Sequence, residues 1–351
     1  VSAIAIIGSI NGVSSFIRST LNESLLLLQA FIGSVSITTL VLSAVIRERE
    51  QAETELEQAN EELETRVEER TSELKDANEE ITRLNDRLKA ENIRMAAELA
   101  VTRQLQQMIL PKESELNSIE QLDISGFMES ATEVGGDYYD VLQQEGRIKI
   151  GIGDVTGHGL ESGVLMIMVQ TAVRTLLINN ETDPVKFLNV LNRTIYDNVQ
   201  RMNSDKNLTL VVLDYQEGRL RLSGQHEEII MVRAGGILER IDTVDLGFPL
   251  GLIENIDDFV SYADVQLNPG DVVVLYTDGI TEAENMNGEQ YGLERLCEAI
   301  KQNWQGSAAE IRQAAIADVR QHIGAQTIYD DITLVVLKQK GETGTASRGA
   351  N

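Results

Sequence analysis

Four short acidic signatures do most to limit what this chain can become: Gly135-Gly136-Asp137, Gly153-Asp154-Val155-Thr156-Gly157-His158-Gly159, Thr277-Asp278-Gly279 and Asp330-Asp331-Ile332-Thr333. Three of them adjoin apolar, β-branched runs, Ile148 to Val155, Val272 to Thr277 and Ile332 to Leu337. Such runs read as buried strands. The carboxylates therefore stand at strand ends, where a rigid sheet can aim several of them at one point. Clustered carboxylates without a basic partner repel one another and call for a neutralising charge, which hard divalent cations with oxygen ligands supply best.

Around these signatures, alternation predicts strands near 122–129, 147–155, 207–215, 218–224, 228–234, 270–277 and 331–338. Helical spacing marks 159–179, 184–203, 292–304 and 308–323, with Leu165, Met168, Val169, Ala172 and Leu176 forming the stripe of the first. Strands and helices come in runs rather than in strict alternation, which argues for an α+β fold with layered packing. The net charge is −26, with 56 acidic against 30 basic residues, so a nucleic-acid footprint is excluded. Cys297 is the only cysteine, which leaves no intrachain disulfide and no thiolate zinc site. It falls in an apolar helical pattern and reads as core.

The N-terminal third has another character. Ser24 to Ile46 is a 23-residue stretch without a charge, long enough to cross a bilayer, and Arg47 and Arg49 after it favour a cytoplasmic C-terminal side. The chain starts at Val1 without an initiator Met, as expected of a piece of a longer membrane protein. From Leu56 onward, Asn60, Val67, Leu74, Ile81 and Leu88 alternate with Leu56, Leu63, Arg70, Ala77 and Leu84 in a heptad pattern, which predicts a dimeric coiled coil. After Leu88 the register slips and continues through Asn92, Met95, Leu99, Thr102, Gln106 and Ile109, a stutter that locally unwinds a supercoil. No Pro or Gly occurs between Ile46 and Pro111, so one unbroken helix can connect the two ends. The expected organisation is a membrane segment at 1–46, a coiled-coil helix at 47–110, a catalytic domain at 111–338 and a tail at 339–351.

The order GGD, GDVTGHG, TDG, DDIT resembles the bacterial PPM-type Ser/Thr phosphatases, specifically their SpoIIE/RsbU-like branch, over roughly residues 105–338. The resemblance implies an α-β-β-α sandwich and a site with two Mn²⁺ or Mg²⁺ ions. On that basis Asp154 bridges the metals and Val155 gives its carbonyl to one of them. Asp278 and Asp330 serve the other, and Asp137 contacts metal directly or through water. Asp154, Asp278 and Asp330 are the expected catalytic carboxylates, while His158 and Asp331 are expected beside the substrate or behind the ligands. Asp140 and His322 read as structural. His226 keeps a position common in the family, but Glu227 stands where a proline is usual. The implied reaction is hydrolysis of phosphoserine or phosphothreonine by a two-metal-activated water. The implied partner is a phosphorylated regulator resembling an anti-sigma-factor antagonist. The implied location is the inner membrane, with the catalytic domain in the cytoplasm.

Other outputs that follow membrane and coiled-coil modules fit less well. A histidine kinase needs a phosphoacceptor His in the coiled coil, and none occurs before His158. A diguanylate cyclase would continue GGD as Glu-Phe, whereas here Tyr138-Tyr139 follow. The rival from another class is a non-catalytic pseudophosphatase acting as a membrane-tethered scaffold.

Overall fold

A computed structural model describes residues 2–11, 16, 20–131, 134–157 and 159–341. The chain divides into two compact units, 1–90 and 91–351. The first holds α1 (Ser2–Ile10) and most of α2 (Leu21–Ile109), an uninterrupted helix of 89 residues. Helix α2 contains a stretch long and apolar enough to cross a membrane. Further along it, Leu56, Leu63, Val67, Leu74, Ile81, Leu84 and Leu88 are all exposed, an apolar seam without a cover in the single chain.

The second unit takes the last turns of α2, then α3 (Glu113–Asn117) and β1 (Leu122–Glu129), β2 (Asp137–Gln144) and β3 (Arg147–Val155). Helices α4 (Leu160–Ile178) and α5 (Pro184–Met202) precede β4 (Leu208–Gln216), β5 (Arg219–Gln225), β6 (Ile229–Val232), β7 (Leu238–Ile241), β8 (Tyr262–Gln266) and β9 (Val272–Tyr276). The short α6 (Asp278–Thr281), α7 (Leu293–Asn303), α8 (Ala308–Ile323) and β10 (Ile332–Gln339) complete it. Two five-stranded antiparallel sheets form, in the orders β1-β10-β9-β6-β7 and β2-β3-β4-β5-β8.

The strand period of two builds the layers. In β10, Val335 and Leu337 enter the core between the sheets, while Ile332, Leu334 and Val336 face α7 and α8. In β4, Val211, Leu213 and Tyr215 point inward, while Leu208, Leu210 and Val212 pack on α4 and α5. The result is an α-β-β-α sandwich. Its helices begin at defined caps: Asp183 Oδ1 accepts from Val185 N–H at 2.9 Å ahead of α5, with Pro184 in the first turn, and Ser307 and Glu310 form a reciprocal capping box on α8.

Strands β2, β7 and β8 lie outside the set that the alternation marks. β2 buries Asp137 and Asp140 among its apolar residues, which breaks the pattern. β7 and β8 are edge strands with much exposed surface, where few apolar positions are needed.

Candidate active site at the strand ends

The ladders bring the signatures together. Asp137 opens β2 and lies opposite Asp154 near the end of β3. Asp278 opens α6 directly after β9, and Asp330 and Asp331 precede β10, the neighbour of β9. Five carboxylates from four distant stretches thus meet at one end of the sandwich.

Two of them are locked from outside their own segments. Asp137 is buried, and its Oδ2 accepts from Thr277 Oγ1 at 2.9 Å and from Thr333 Oγ1. Asp331, also buried, accepts backbone N–H groups from Ala131 (2.9 Å), Gly136 (2.7 Å) and Asp137 (3.4 Å). It thereby fastens the GGD turn to the start of β10. The turn tolerates this only because it lacks side chains, since a β-carbon at Gly135 would stand 2.1 Å from Asp331 Oδ2.

Burial and mutual repulsion push the cluster towards protonation. Asp154 rises to about 8, through burial first and then the charges of Asp278, Asp330 and Asp331. Asp278 is raised by burial, Asp330 and Glu282. Asp137 is raised well above the carboxylate range by burial, Asp154 and Asp331, against the opposing pull of the two threonine hydroxyls. A cation placed in such a cluster would relieve the same repulsion that a proton relieves.

The oxygen donors suit one. A β-carbon at Gly136 would stand 2.5 Å from the Val155 carbonyl oxygen, 2.8 Å from Asp154 Oδ1 and 2.9 Å from the Gly157 carbonyl oxygen. Three oxygens therefore converge where only glycine leaves room. Among the described residues no three acidic, imidazole or thiol groups already close around one point. An all-oxygen set of this kind matches Mn²⁺ or Mg²⁺ rather than a softer metal.

His158 lies outside the described residues. His226 is half-buried: its Nδ1 is 2.9 Å from Thr209 Oγ1, and desolvation lowers its pKa to about 4, so it stays neutral. Thr209 pairs with Asp154 across the β3–β4 ladder. Asp140 rises to about 6 on burial and accepts from Gln170 and from Val141 N–H, away from the cluster. Glu227, half-buried, is raised by burial and by Asp278, Glu282 and Glu228.

Three site residues escaped the sequence reading. Thr277 and Thr333 sit inside the TDG and DDIT motifs, where a hydroxyl beside an aspartate is the available signal. Gln106 is the third. Buried near the end of α2, its Nε2 donates to the Gly135 and Asp137 carbonyls at 3.3 and 3.4 Å, and its Oε1 accepts from Gly135 N–H at 3.3 Å. Its signal was a glutamine at a core position of the shifted register.

Comparison with known proteins agrees with this architecture. The sequence profile of Stage II sporulation protein E (SpoIIE) matches residues 144–340. Phosphoserine phosphatase RsbU of Bacillus subtilis is 28% identical over 254 residues, covering 70% of each chain. Protein IcfG of a Synechocystis species is 27% identical over 270 residues, 68% of this chain, which spans only 41% of IcfG's length. The solved structure of the SiaA-PP2C domain of Pseudomonas aeruginosa superposes with a TM-score of 0.61 at 19% identity, covering 71% of this chain and 98% of that domain.

Proposed function

The chain belongs to the SpoIIE family, and from that premise we propose that it is a metal-dependent protein Ser/Thr phosphatase. The observation that carries the proposal is the cradle at Gly136, where the Val155 and Gly157 carbonyls converge with the Asp154 carboxylate, itself pushed up to about 8. The reaction is hydrolysis of phosphoserine or phosphothreonine on a regulatory protein, in keeping with the name of the Bacillus relative. An anti-sigma-factor antagonist is the substrate class implied by the sequence resemblance.

Asp154, Val155, Asp278 and Asp330 would hold two Mn²⁺ or Mg²⁺ ions, with Asp137 beside them. When bound, such ions shield the phosphate dianion and lower the pKa of the attacking water. The chain's own residues do the positioning. Asp331 holds the GGD turn by its backbone, Thr277 and Thr333 orient Asp137, and neutral His226 supports the strand that carries Thr209. His158 and Asp331 remain the assignments nearest the substrate and behind the ligands.

The membrane segment at 24–46 would tether the enzyme to the inner membrane with the catalytic unit in the cytoplasm. The exposed seam from Leu56 to Leu88 fits a second copy of the helix, since fully burying a Leu or Val contributes about 1.5–3 kcal/mol. Gln106 supports a regulatory role for that helix, because it joins the last turns of α2 to the backbone of a metal-site motif. Hydrolysis of p-nitrophenyl phosphate by the full chain, dependent on added Mn²⁺ and abolished by EDTA, tests the reading. Mn²⁺ binding without turnover would favour the scaffold, and turnover after thorough chelation would point to another hydrolase mechanism.

A further inference from the structure

The candidate active site continues into a cavity of about 410 Å³ whose rim includes Gly279 and Asp330. Its outer wall is a hairpin spanning 283–291. There Glu284 bridges to Gln290, Tyr291 N–H donates to the Ala283 carbonyl at 2.9 Å, and Asn285 Oδ1 closes the turn by accepting from Asn287 and Glu289 N–H at 2.8 and 3.1 Å. The hairpin is anchored to α8. Tyr291 O–H donates to Asp318 at 2.7 Å, Arg295 grips the same carboxylate at 2.9 and 3.0 Å, and His322 Nε2 lies 2.9 Å from the Glu289 carbonyl oxygen. A wall fastened in this way presents its side chains in fixed positions.

The charge of the cavity is one-sided. Glu282 and Glu284 line it together with Asp330, and among the described residues no Lys, Arg or His does. Neither glutamate is paired with a basic side chain among the described residues. Elsewhere on this unit carboxylates find arginines: Glu129 with Arg320, Glu228 with Arg240, Asp318 with Arg295. Cations held at Asp278 and Asp330 would neutralise those two carboxylates and leave the glutamates uncompensated. In the same lining, half-buried Ile328 and exposed Tyr329 supply apolar surface and a ring face.

We infer that this cavity binds an arginine or lysine side chain of the phosphoprotein substrate, close in sequence to the phosphorylated residue; the inference rests on the phosphatase reading above. The aliphatic stem lies on Ile328 and Tyr329 and the charged head meets Glu282 and Glu284, as such side chains do on mixed surfaces. Asp330 belongs both to the candidate active site and to the lining of the cavity, and an extended chain advances roughly 3.5 Å per residue, so the basic residue lies within roughly four positions of the phosphoserine.

The test uses the Mn²⁺-loaded full chain and three phosphoserine peptides that differ only in carrying Arg, Gln or Glu at those flanking positions. In the wild type, kcat/KM for the Arg peptide should exceed that for the Gln peptide about tenfold, and that for the Glu peptide by more. Glu284→Gln should cut the Arg-to-Gln ratio to about a third of its value, and Glu284→Lys should reverse the preference towards the Glu peptide. Equal kcat/KM for the three peptides, hydrolysis of none of them, or ratios unchanged in both variants would overturn the inference. So would the loss of a bound Mn²⁺ in Glu284→Gln, measured by calorimetry, which would make the cavity a metal site. p-Nitrophenyl phosphate has no flanking residue and separates the two readings. If the wild type fails to hydrolyse it, the phosphatase reading falls and this inference with it; if it is hydrolysed but no peptide preference appears, only this inference falls.

Discussion

Asp137 and Asp331 on the inner side of the carboxylate cluster are held by donors from distant parts of the chain, whereas among the described residues Asp154 and Asp278 draw only on N–H groups adjacent to them in sequence. The inner pair is almost fully buried, at 1% and 3% exposure, while the outer two are partly open and Asp330 beside them is exposed. All four of the buried or half-buried carboxylates are pushed towards the proton, so burial alone does not separate them. What separates them is where the fold places hydrogen bonds. On the inner side it fixes the carboxylates so that they hold other segments. On the outer side it leaves the carboxylates crowded by one another's charge and without such distant donors, the side to which the proposed metal ligands belong.

The largest effect that this contrast predicts is at Asp154. Asp154→Asn replaces the most strongly crowded outer carboxylate by a neutral amide, and should lower turnover by at least about a hundredfold with loss of at least one Mn²⁺. Calorimetric Mn²⁺ titration beside a turnover assay checks it, and wild-type-like turnover at saturating Mn²⁺ would break the division. Asp278→Asn and Asp330→Asn should weaken Mn²⁺ binding in the same sense.

On the inner side the same chemical change should cost stability before metal affinity. Asp331→Asn turns one acceptor oxygen into a donor facing backbone N–H groups, a loss of about 1–3 kcal/mol for a buried unsatisfied donor. Thermal unfolding should register it as a clear drop in Tm, with a smaller fall in Mn²⁺ affinity than at Asp330. Equal losses of affinity at Asp330 and Asp331 would erase the distinction between the two sides.

A pH series on the metal-free protein reads both sides at once. The Asp154 carboxyl titrates at about 8 in the folded chain, against the ordinary carboxylate range when unfolded. Between those limits the folded chain holds more protons than the unfolded one, so stability declines with rising pH. The contribution is complete below the carboxylate range and is lost as pH rises through about 8. Tm should therefore fall from about pH 5 to about pH 8 without metal, and saturating Mn²⁺ should flatten the slope by taking the place of the proton. A metal-free Tm that climbs over this range would mean that the outer carboxylates are not crowded.

The aspartates of this site were legible because each sits in a short motif at the edge of an apolar run, a purely local signal. The sandwich was legible where strands alternate cleanly, as in β10 with Val335 and Leu337 on one face and Leu334 and Val336 on the other. β2 was not, because a strand that buries Asp137 and Asp140 looks polar until their partners are known. Those partners come from far away: Thr277 reaches Asp137 across 140 positions and Asp331 reaches Gly136 across 195. No local pattern encodes such pairings. Of the cradle at Gly136, the family resemblance named Asp154 and the Val155 carbonyl, while the approach of Gly136 and the Gly157 carbonyl to them depends on pairing between strands and was not legible.

The smallest effect concerns how the inner side is joined to α2. Gln106 touches the GGD turn through three hydrogen bonds of 3.3 to 3.4 Å, at the long end of useful geometry. Each is therefore at the weak end, about 0.5 kcal/mol, and their removal in Gln106→Ala should lower kcat/KM only about three- to tenfold. The loss should appear largely as weaker Mn²⁺ binding, because the bonds hold Gly135 and Asp137 rather than any substrate. The stutter between Leu88 and Asn92 lies upstream on the same helix, and a register change there needs only a few kcal/mol to reset the last turns. Deleting four residues so that the heptads run continuously should change basal activity several-fold with the proposed dimer intact by light scattering. In a Gln106→Ala background the same deletion should change little, because the link that carries the shift is gone. An undiminished deletion effect in that background would route the signal elsewhere. Unchanged activity in both variants would reduce the helix to a spacer and leave the inner carboxylates with a purely structural task.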